Sequence, residues 1–471
     1  MTMLDGLLIL LFIICSYFSI LLILKRKGVL EKYNISLHGP ILMIRTKRGL
    51  KLIEKIAEKK RFWKAFGSFG IVFCFIVMVL LVITLIMQLS LLFTITPEQK
   101  ELLPTPDMAL ILPGLNPLLP VEYLFFIIIA MIVAIIVHEF SHAFLTIIGK
   151  VKVKSLGLLM IIIPLGAFCE PDEEGLKKIK RSKRMRVYAA GPMSNFVVAF
   201  IVLSLFSFVF MSAVQPVEGI EVSTVGSDTP AEEFGFTKGM VITSINNTTI
   251  NTYDDFYYSL NNTESNQTVE ISYFYKEKYY TKYVKLIDKY DVYYQNYIDA
   301  YDYIPNSTKQ NISIFKGKGY LGVGPNPYDR VYYVNSLKNP YTYDFPDGFL
   351  NVYVLPFLGF YTGYNPLNAP FTHSFEITGP LGFLPTDVFW FIVNALYWIF
   401  WLNILVGMFN VLPIVPFDGG FLYLDAINSL IKRIKKDITD EKRESIAKNI
   451  ALVTSLTILF LVIIPFFFRY I

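Results

Sequence analysis

The chain has 471 residues, of which 54% are hydrophobic and only 17% are charged, with a formal net charge of +5. This composition excludes a disordered chain and a single water-soluble domain, because the apolar residues are gathered into blocks long enough to cross a bilayer. The three cysteines, Cys15, Cys74 and Cys169, are too few and too scattered to indicate a disulfide framework. We therefore expect a polytopic membrane protein with a soluble portion.

Six apolar blocks are predicted to form membrane-spanning helices. Each has roughly 18 or more residues with few charges, the length that an α-helix needs to cross about 30 Å of hydrocarbon. The blocks are 7–24, 65–93, 122–148, 187–214, 388–409 and 450–468. The first is interpreted as a retained helix, because it lacks the basic start and the small-residue cleavage site of a signal peptide. A further apolar stretch, 349–364, contains a proline and two glycines, so we expect an interfacial or re-entrant segment there.

The basic residues predict the orientation of these spans. Lys and Arg cluster in the segments 25–64, 150–186 and 432–448, which all fall on one side of a six-span arrangement. Basic loops stay in the cytoplasm, so 94–121, 215–385 and both chain ends are predicted to be external. The positive charge is then a topology signal with some contact to anionic lipid, and it does not argue for nucleic acid.

The predicted external segment differs in character from the membrane blocks. It is rich in Tyr, Asn, Thr and Asp, with alternating runs such as TVEISYFY that indicate half-buried strands. We expect five regions: 1–95, two N-terminal spans joined by a basic cytoplasmic loop; 96–214, the first half of a membrane core; 215–345, an extracytoplasmic domain; 346–385, an external or re-entrant linker; and 386–471, the second half of the core.

Two histidines and a glutamate lie inside the third predicted span, in the stretch IIVHEFSHAF. His138 and His142 are one helical turn apart, so both imidazoles can bind one metal ion, and Glu139 beside them can reach a metal-bound water. An ionisable residue in hydrocarbon costs at least about 2.5–3.5 kcal/mol on insertion scales, so three within five positions indicate a functional site. The pattern predicts a zinc site, with a proton relay or ion path as the alternative.

A catalytic zinc site needs a third protein ligand and an open position for water. The stretch NVLPIVPFDGG offers Asp418, which follows two prolines that break the fifth span and precedes two glycines that allow a close backbone approach. His142 lies about six residues before the end of its span, so a metal there would lie roughly 10 Å from the cytoplasmic boundary. Asp418 is predicted at the same depth, and it is preferred over Cys169 as the third ligand.

These motifs resemble those of the site-2 proteases, which are intramembrane zinc metalloproteases of peptidase family M50. The resemblance is carried by HEFSH (138–142), AAGPMSN (189–195) and NVLPIVPFDGG (410–420). PLGAFCEP (164–171) is similar to the β-hairpin segment that follows the first motif in that family, and TGPLGF (378–383) is similar to its Gly-Pro element. The N-terminal 95 residues match no pattern of the family.

The resemblance implies regulated intramembrane proteolysis of single-pass membrane proteins, with Zn²⁺ as cofactor. His138, His142 and Asp418 would be the zinc ligands, and Glu139 would be the general base that activates a zinc-bound water. Asn195 and Asn410 resemble polar residues of the second and third motifs that donate hydrogen bonds to the oxyanion. Helix packing is the alternative role of both asparagines.

Residues 226–256 are similar to a PDZ domain of the type inserted in proteases, and GYLGVGP (319–325) is similar to the stretch that closes it. Such a domain binds extended peptide by strand addition, which would select substrates at an end exposed by an earlier cut. It could instead exclude substrates with intact external domains, or serve as a spacer. A Tyr-rich insertion between the two stretches leaves the number of PDZ-like units open.

The expected fold is a polytopic α-helical membrane protein of about six spans, with a small extracytoplasmic PDZ-like α+β domain between the fourth and fifth. The alternative is a non-catalytic membrane protein, such as a metal-ion carrier or an inactive protease-like receptor. A carrier would place polar residues along a continuous path through several spans, whereas here they converge at one depth. An inactive relative would usually have lost Glu139. The residues favour the protease.

Overall fold

The structure is a computed structural model that describes residues 3–33, 35–39, 41–46, 49–109, 114–160 and 164–470. Its α-helices are α1 (Met3–Arg26), α2 (Val29–Lys32), α3 (Leu50–Ala57), α4 (Lys60–Leu92), α5 (Pro97–Lys100), α6 (Leu124–Ile148), α7 (Glu173–Lys178), α8 (Arg181–Leu205), α9 (Pro230–Glu233), α10 (Tyr253–Asn261), α11 (Lys289–Tyr301), α12 (Asn306–Ile312), α13 (Arg330–Lys338), α14 (Asp347–Tyr353), α15 (Leu355–Thr362), α16 (Thr386–Val411), α17 (Asp418–Ile434) and α18 (Asp440–Phe468). Its strands are β1 (Ile35–His38), β2 (Ile41–Thr46), β3 (Val153–Met160), β4 (Pro164–Pro171), β5 (Val214–Pro216), β6 (Ile220–Val225), β7 (Val241–Ile245), β8 (Thr248–Thr249), β9 (Thr268–Tyr275), β10 (Lys278–Lys285), β11 (Ile287–Asp288), β12 (Gly319–Tyr320), β13 (Val323–Pro325) and β14 (Phe375–Ile377).

Five helices among the described residues are long and apolar enough to cross a membrane. They are Lys60–Leu92, Val121–Ile148, Arg181–Ala213, Thr386–Val411 and Asp440–Phe468. They coincide with five of the six predicted spans, so the chain is a multi-pass membrane protein. The helix α1 lies where the remaining span is predicted, and its crossing of the membrane stays a prediction. The apolar stretch 349–364 forms α14 and α15, which at 7 and 8 residues are too short to cross.

The chain divides into two compact units, 1–203 with 395–471 and 204–394. In the first unit, the predicted hairpin after HEFSH is present as the antiparallel pair of β3 and β4. The N-terminal strands β1 and β2 extend this pair to a four-stranded sheet with the order β1-β2-β3-β4. The N-terminal region is therefore built into the same unit as the predicted metal site.

The helix α4, for which no role was predicted, packs against α6, α17 and α18 in this unit. Its Cys74 and Met78 are buried with Ala189, Val411 and Leu422. Its next turns pack on an apolar cluster that includes the chain segment just before Asp418. The α4 residues are Leu81, Val82, Leu85 and Leu89, and the cluster consists of Leu412, Ile414, Ile458 and Leu461. The second N-terminal span thus supports the loop that leads to Asp418.

Buried polar contacts fix α17 in place. Arg184 of α8 donates from Nε to Asp425 Oδ2 at 2.8 Å. Arg181 and Arg443 both donate to Asn428 Oδ1, at 2.8 and 2.6 Å. Charge-assisted hydrogen bonds of this kind are directional, so they hold α17 at a defined position against α8 and α18. Because α17 begins at Asp418, they also position its carboxylate.

The second unit contains a sheet with the order β10-β9-β7-β6-β13, and β8 pairs with β7. Its buried core includes Val222, Ile242, Phe256 and Ile271. The helices α9 and α10 and the strand β7 form where the PDZ resemblance places two helices and a strand. The Tyr-rich insertion adds β10, α11 and α12, and GYLGVGP supplies β12 and the edge strand β13. The PDZ identity, the domain boundaries and an extracytoplasmic location stay predictions.

Candidate active site

Three predicted metal ligands converge in the first unit. His138 Nε2 lies 3.0 Å from Asp418 Oδ2, and His142 Nε2 lies 3.1 Å from the same oxygen. The two Nε2 atoms are 3.1 Å apart, because the histidines are one turn apart on α6. Asp418 comes from the first position of α17, 276 residues after His142. Among the described residues, these three form a group that could hold a metal ion.

Hydrogen bonds to the other ring nitrogens define the chemistry of this group. His138 Nδ1 lies 2.7 Å from Asn195 Oδ1, and His142 Nδ1 lies 2.7 Å from the Val187 carbonyl oxygen. Both oxygens can only accept, so each Nδ1 carries a hydrogen and donates it, as in metal-binding histidines generally. Nε2 is then the ring atom of each histidine that remains to bind a metal, and both Nε2 atoms face the Asp418 carboxylate.

Such a set of acceptors fits a bound cation. Two ring nitrogens and a carboxylate oxygen about 3 Å apart are held together by a proton or a metal ion between them, because their lone pairs otherwise repel one another. Tetrahedral zinc, with bonds of about 2.0–2.1 Å to nitrogen and oxygen, separates its ligand atoms by about 3.3 Å. The observed separations of 3.0–3.1 Å are close to that value. The side chains therefore suit a small divalent metal with nitrogen and oxygen ligands.

Asn195 has a different arrangement from the one expected of an oxyanion donor. Its side chain is fully buried, and Nδ2 donates to the Ala134 carbonyl and to Asn403 Oδ1, both at 3.0 Å. Both amide hydrogens are therefore used, and Oδ1 is left to accept from His138. The predicted oxyanion role does not agree with this geometry. Asn195 is arranged instead to orient the His138 ring.

Replacing Asn195 with alanine is expected to lower zinc affinity by about 10–100-fold, the usual effect of losing an outer-shell partner. The substitution leaves the buried Nδ1–H of His138 without an acceptor and frees the ring to turn. Metal-buffered zinc titration of the purified protein measures this change. Asn394→Ala is the matched control, because Asn394 is also buried and hydrogen-bonded to backbone carbonyls at 2.9 and 3.0 Å. Equal zinc affinity in both variants and the wild type would contradict the assignment.

Glu139 lies beside the ligand group without belonging to it. Its Oε2 accepts a hydrogen bond of 2.7 Å from the backbone N–H of Cys169 in β4. Burial, and secondarily the nearby Glu139 carboxylate, raise the pKa of the Cys169 thiol to about 12. Among the described residues, the group that could hold a metal ion contains Asp418 and does not contain Cys169.

A cavity of about 340 Å³ opens at this site and is lined by all three ligands, Glu139 and Asn410. Four aromatic side chains also line it: Phe168, Tyr188, Phe417 and Phe421. Asn410 donates from Nδ2 to the Val406 carbonyl at 3.0 Å and faces the cavity, so its oxyanion role stays a prediction. The candidate catalytic residues thus share one cavity with several aromatic side chains.

Glycines allow the close packing of the site. A Cβ on Gly191 would lie 2.4 Å from His142 Nε2 and 2.6 Å from His138 Nε2, so only glycine fits behind the ligands. A Cβ on Gly419 would lie 2.1 Å from the Val411 carbonyl oxygen, which confirms the predicted close backbone approach after Asp418. The steric need for glycine at position 191 was not predicted, although Gly191 lies in the AAGPMSN motif.

The amino-acid sequence is similar to those of known proteins. The sequence model of peptidase family M50 matches residues 126–458, more than half of the chain. The uncharacterized protein MJ0971 of Methanocaldococcus jannaschii is 25% identical over 411 residues, which cover 87% of this chain and 83% of its own. The putative zinc metalloprotease CA_C1796 of Clostridium acetobutylicum is 26% identical over 160 residues, covering 28% of this chain and 45% of its own. The zinc metalloprotease RasP of Oceanobacillus iheyensis is 38% identical over 76 residues, covering 16% of this chain and 17% of its own. The extent of the family match and the HExxH helix it contains show that the chain belongs to peptidase family M50.

Proposed function

We propose that the protein is a zinc-dependent intramembrane protease that hydrolyses a peptide bond within or near the transmembrane helix of single-pass membrane proteins. The observation that carries this proposal is the convergence of Asp418 with His138 and His142, which lie with Glu139 on a helix apolar enough to cross a membrane. The relatives named as zinc metalloproteases support zinc as the metal.

The residues take the following roles. His138, His142 and Asp418 hold the ion and leave a fourth position open. When bound, zinc supplies Lewis-acid polarisation and lowers the pKa of a coordinated water to about 7. Glu139 accepts the proton of the attacking water and delivers it to the leaving amide nitrogen. Asn410 donates a hydrogen bond to the developing oxyanion from the cavity wall.

The surroundings of the site supply water and suit an apolar substrate. Non-helical backbone at membrane depth is stable only where it is buried in protein or lines a water-filled space, and β4 and the segment before Asp418 are both non-helical. The clusters of Lys and Arg support a cytoplasmic location for this wet side. The aromatic cavity wall suits the apolar side chains of a transmembrane segment. The second unit would select or exclude substrates on the other side of the membrane, with the edge strand β13 as a peptide acceptor.

A cleavage assay tests the proposal. Purified zinc-loaded protein is placed in liposomes with a panel of labelled single-pass proteins, and the products are mapped by mass spectrometry. We expect two fragments whose junction lies in or beside the apolar helix, loss of both after chelation, and recovery on adding zinc. If zinc-loaded protein leaves the whole panel intact but carries zinc across the liposome membrane, the protein is a metal-ion carrier and the protease proposal is wrong.

A further inference from the structure

The N-terminal hairpin of β1 and β2 lies before the M50 match at 126–458, yet it belongs to the sheet that contacts Glu139. The strand β2 pairs with β3, and β3 pairs with β4. At the far edge of the sheet, the Cys169 N–H of β4 donates to Glu139. Two hydrogen-bonded strand pairs therefore connect the hairpin to the strand that touches the proposed general base.

One row of residues crosses this sheet without a side chain in the middle. Arg45 of β2 is paired with Gly157 of β3, and Gly157 is paired with Phe168 of β4. A Cβ on Gly157 would lie 2.2 Å from the Phe168 ring. The ring therefore lies over Gly157 and reaches the Arg45 guanidinium, whose carbon is 5.7 Å from the ring centroid. At this distance a cation attracts the face of an aromatic ring.

Polar contacts of Arg45 also connect β2 to β4 and to β1. Arg45 Nε lies 3.4 Å from Glu170 Oε2, which also accepts from Ser155 Oγ at 2.5 Å. Arg45 Nη1 donates to Ser36 Oγ of β1 at 2.5 Å. Arg45 is thus tied to the hairpin on one side and to β4 on the other. Its two contacts in β4, Phe168 and Glu170, flank Cys169.

We infer that Arg45 is a positioning residue of the active site. By holding Phe168 and Glu170 it fixes the Cys169 N–H against the Glu139 carboxylate, and it keeps the Phe168 ring in the cavity wall. A misplacement of about 1 Å in an active site can cost about 100-fold in rate, so a brace outside the cavity can control the reaction. This inference rests on the proposed function, because it acts through Glu139.

The test uses full-length, zinc-loaded protein in liposomes and three variants: Arg45→Ala, Arg45→Lys and Gly157→Ala. For Arg45→Ala we expect kcat to fall by about 10–100-fold at unchanged zinc content, with faster hydrogen–deuterium exchange of the Cys169 amide. Arg45→Lys retains a cation near Phe168 and should recover part of kcat. Gly157→Ala displaces the ring and should reproduce the Arg45→Ala defect. Lys51→Ala, an exposed change in α3, is the control and should behave as the wild type.

Three results would overturn the inference. The first is faster amide hydrogen exchange at Cys169 in Arg45→Ala with kcat unchanged. The second is a lowered kcat in Arg45→Ala with the exchange of that amide unchanged. The third is loss of zinc together with loss of kcat, which would indicate general destabilisation. Failure of the proposed function is distinguishable, because the wild type would then leave every substrate intact. The rate of hydrogen–deuterium exchange at the Cys169 amide would still decide whether Arg45 holds β4 in place.

Discussion

Glu139→Gln is expected to lower the cleavage rate by about 10²–10⁴-fold, the range of general acid–base catalysis, while the zinc content stays that of the wild type. Glutamine has nearly the size of glutamate, and its side-chain oxygen can still accept from the Cys169 N–H. It cannot take up the proton of the attacking water. Glu139 is also outside the ligand group, so its replacement should not release the metal.

Zinc analysis and product quantification on the same preparation separate these two effects. Glu54→Gln is the matched control, since Glu54 is an exposed glutamate of α3 in the same unit. A Glu139→Gln protein that cleaves as fast as the wild type would refute the general-base role and favour a carrier or receptor. One that loses zinc would place Glu139 among the ligands or their supports.

Asp418→Ala is expected to weaken zinc binding by more than about 100-fold, the upper range for outer-shell partners, because it removes one of three protein ligands. The two imidazoles that remain cannot hold the ion at the same affinity. Cleavage should disappear at zinc concentrations that saturate the wild type. Metal-buffered titration measures the affinity, and Asp437→Ala, at an exposed aspartate after α17, is the control.

Thermal unfolding gives an independent readout of the same substitution. A metal that binds only the folded state stabilises it by about 2.7 kcal/mol at 100 times its dissociation constant. The wild type and Asp437→Ala should therefore gain stability when zinc is added, and Asp418→Ala should not. Wild-type zinc affinity in Asp418→Ala would show that another group is the third ligand.

The sequence predicts the membrane helices and the convergence of His138, His142 and Asp418, because both depend on local patterns. A long apolar run can only be a helix at membrane depth, and five of the predicted runs form such helices. The HExxH spacing places two imidazoles on one face of α6 whatever the surroundings. Asp418 could be predicted because two prolines mark the break before it and two glycines follow it.

The parts that were not predicted depend on contacts between distant segments. The role of Asn195 is set by Asn403, 208 residues away, which takes one amide hydrogen and leaves the oxygen for His138. The group that contacts Glu139 is a backbone N–H, which no residue type signals. The short strands β1 and β2 are separated from β3 by more than 100 residues, so no local periodicity indicates their pairing.

Zinc X-ray absorption spectroscopy on the purified wild type tests the metal centre most directly. We expect two imidazole nitrogens at about 2.0–2.1 Å and carboxylate oxygen at about 2.0–2.2 Å, without sulfur at about 2.3 Å. Asp418→Ala at forced zinc loading should lose the carboxylate contribution and retain both imidazoles. A sulfur contribution in the wild type, or fewer than two imidazoles, would contradict the assignment of His138, His142 and Asp418 as the ligands.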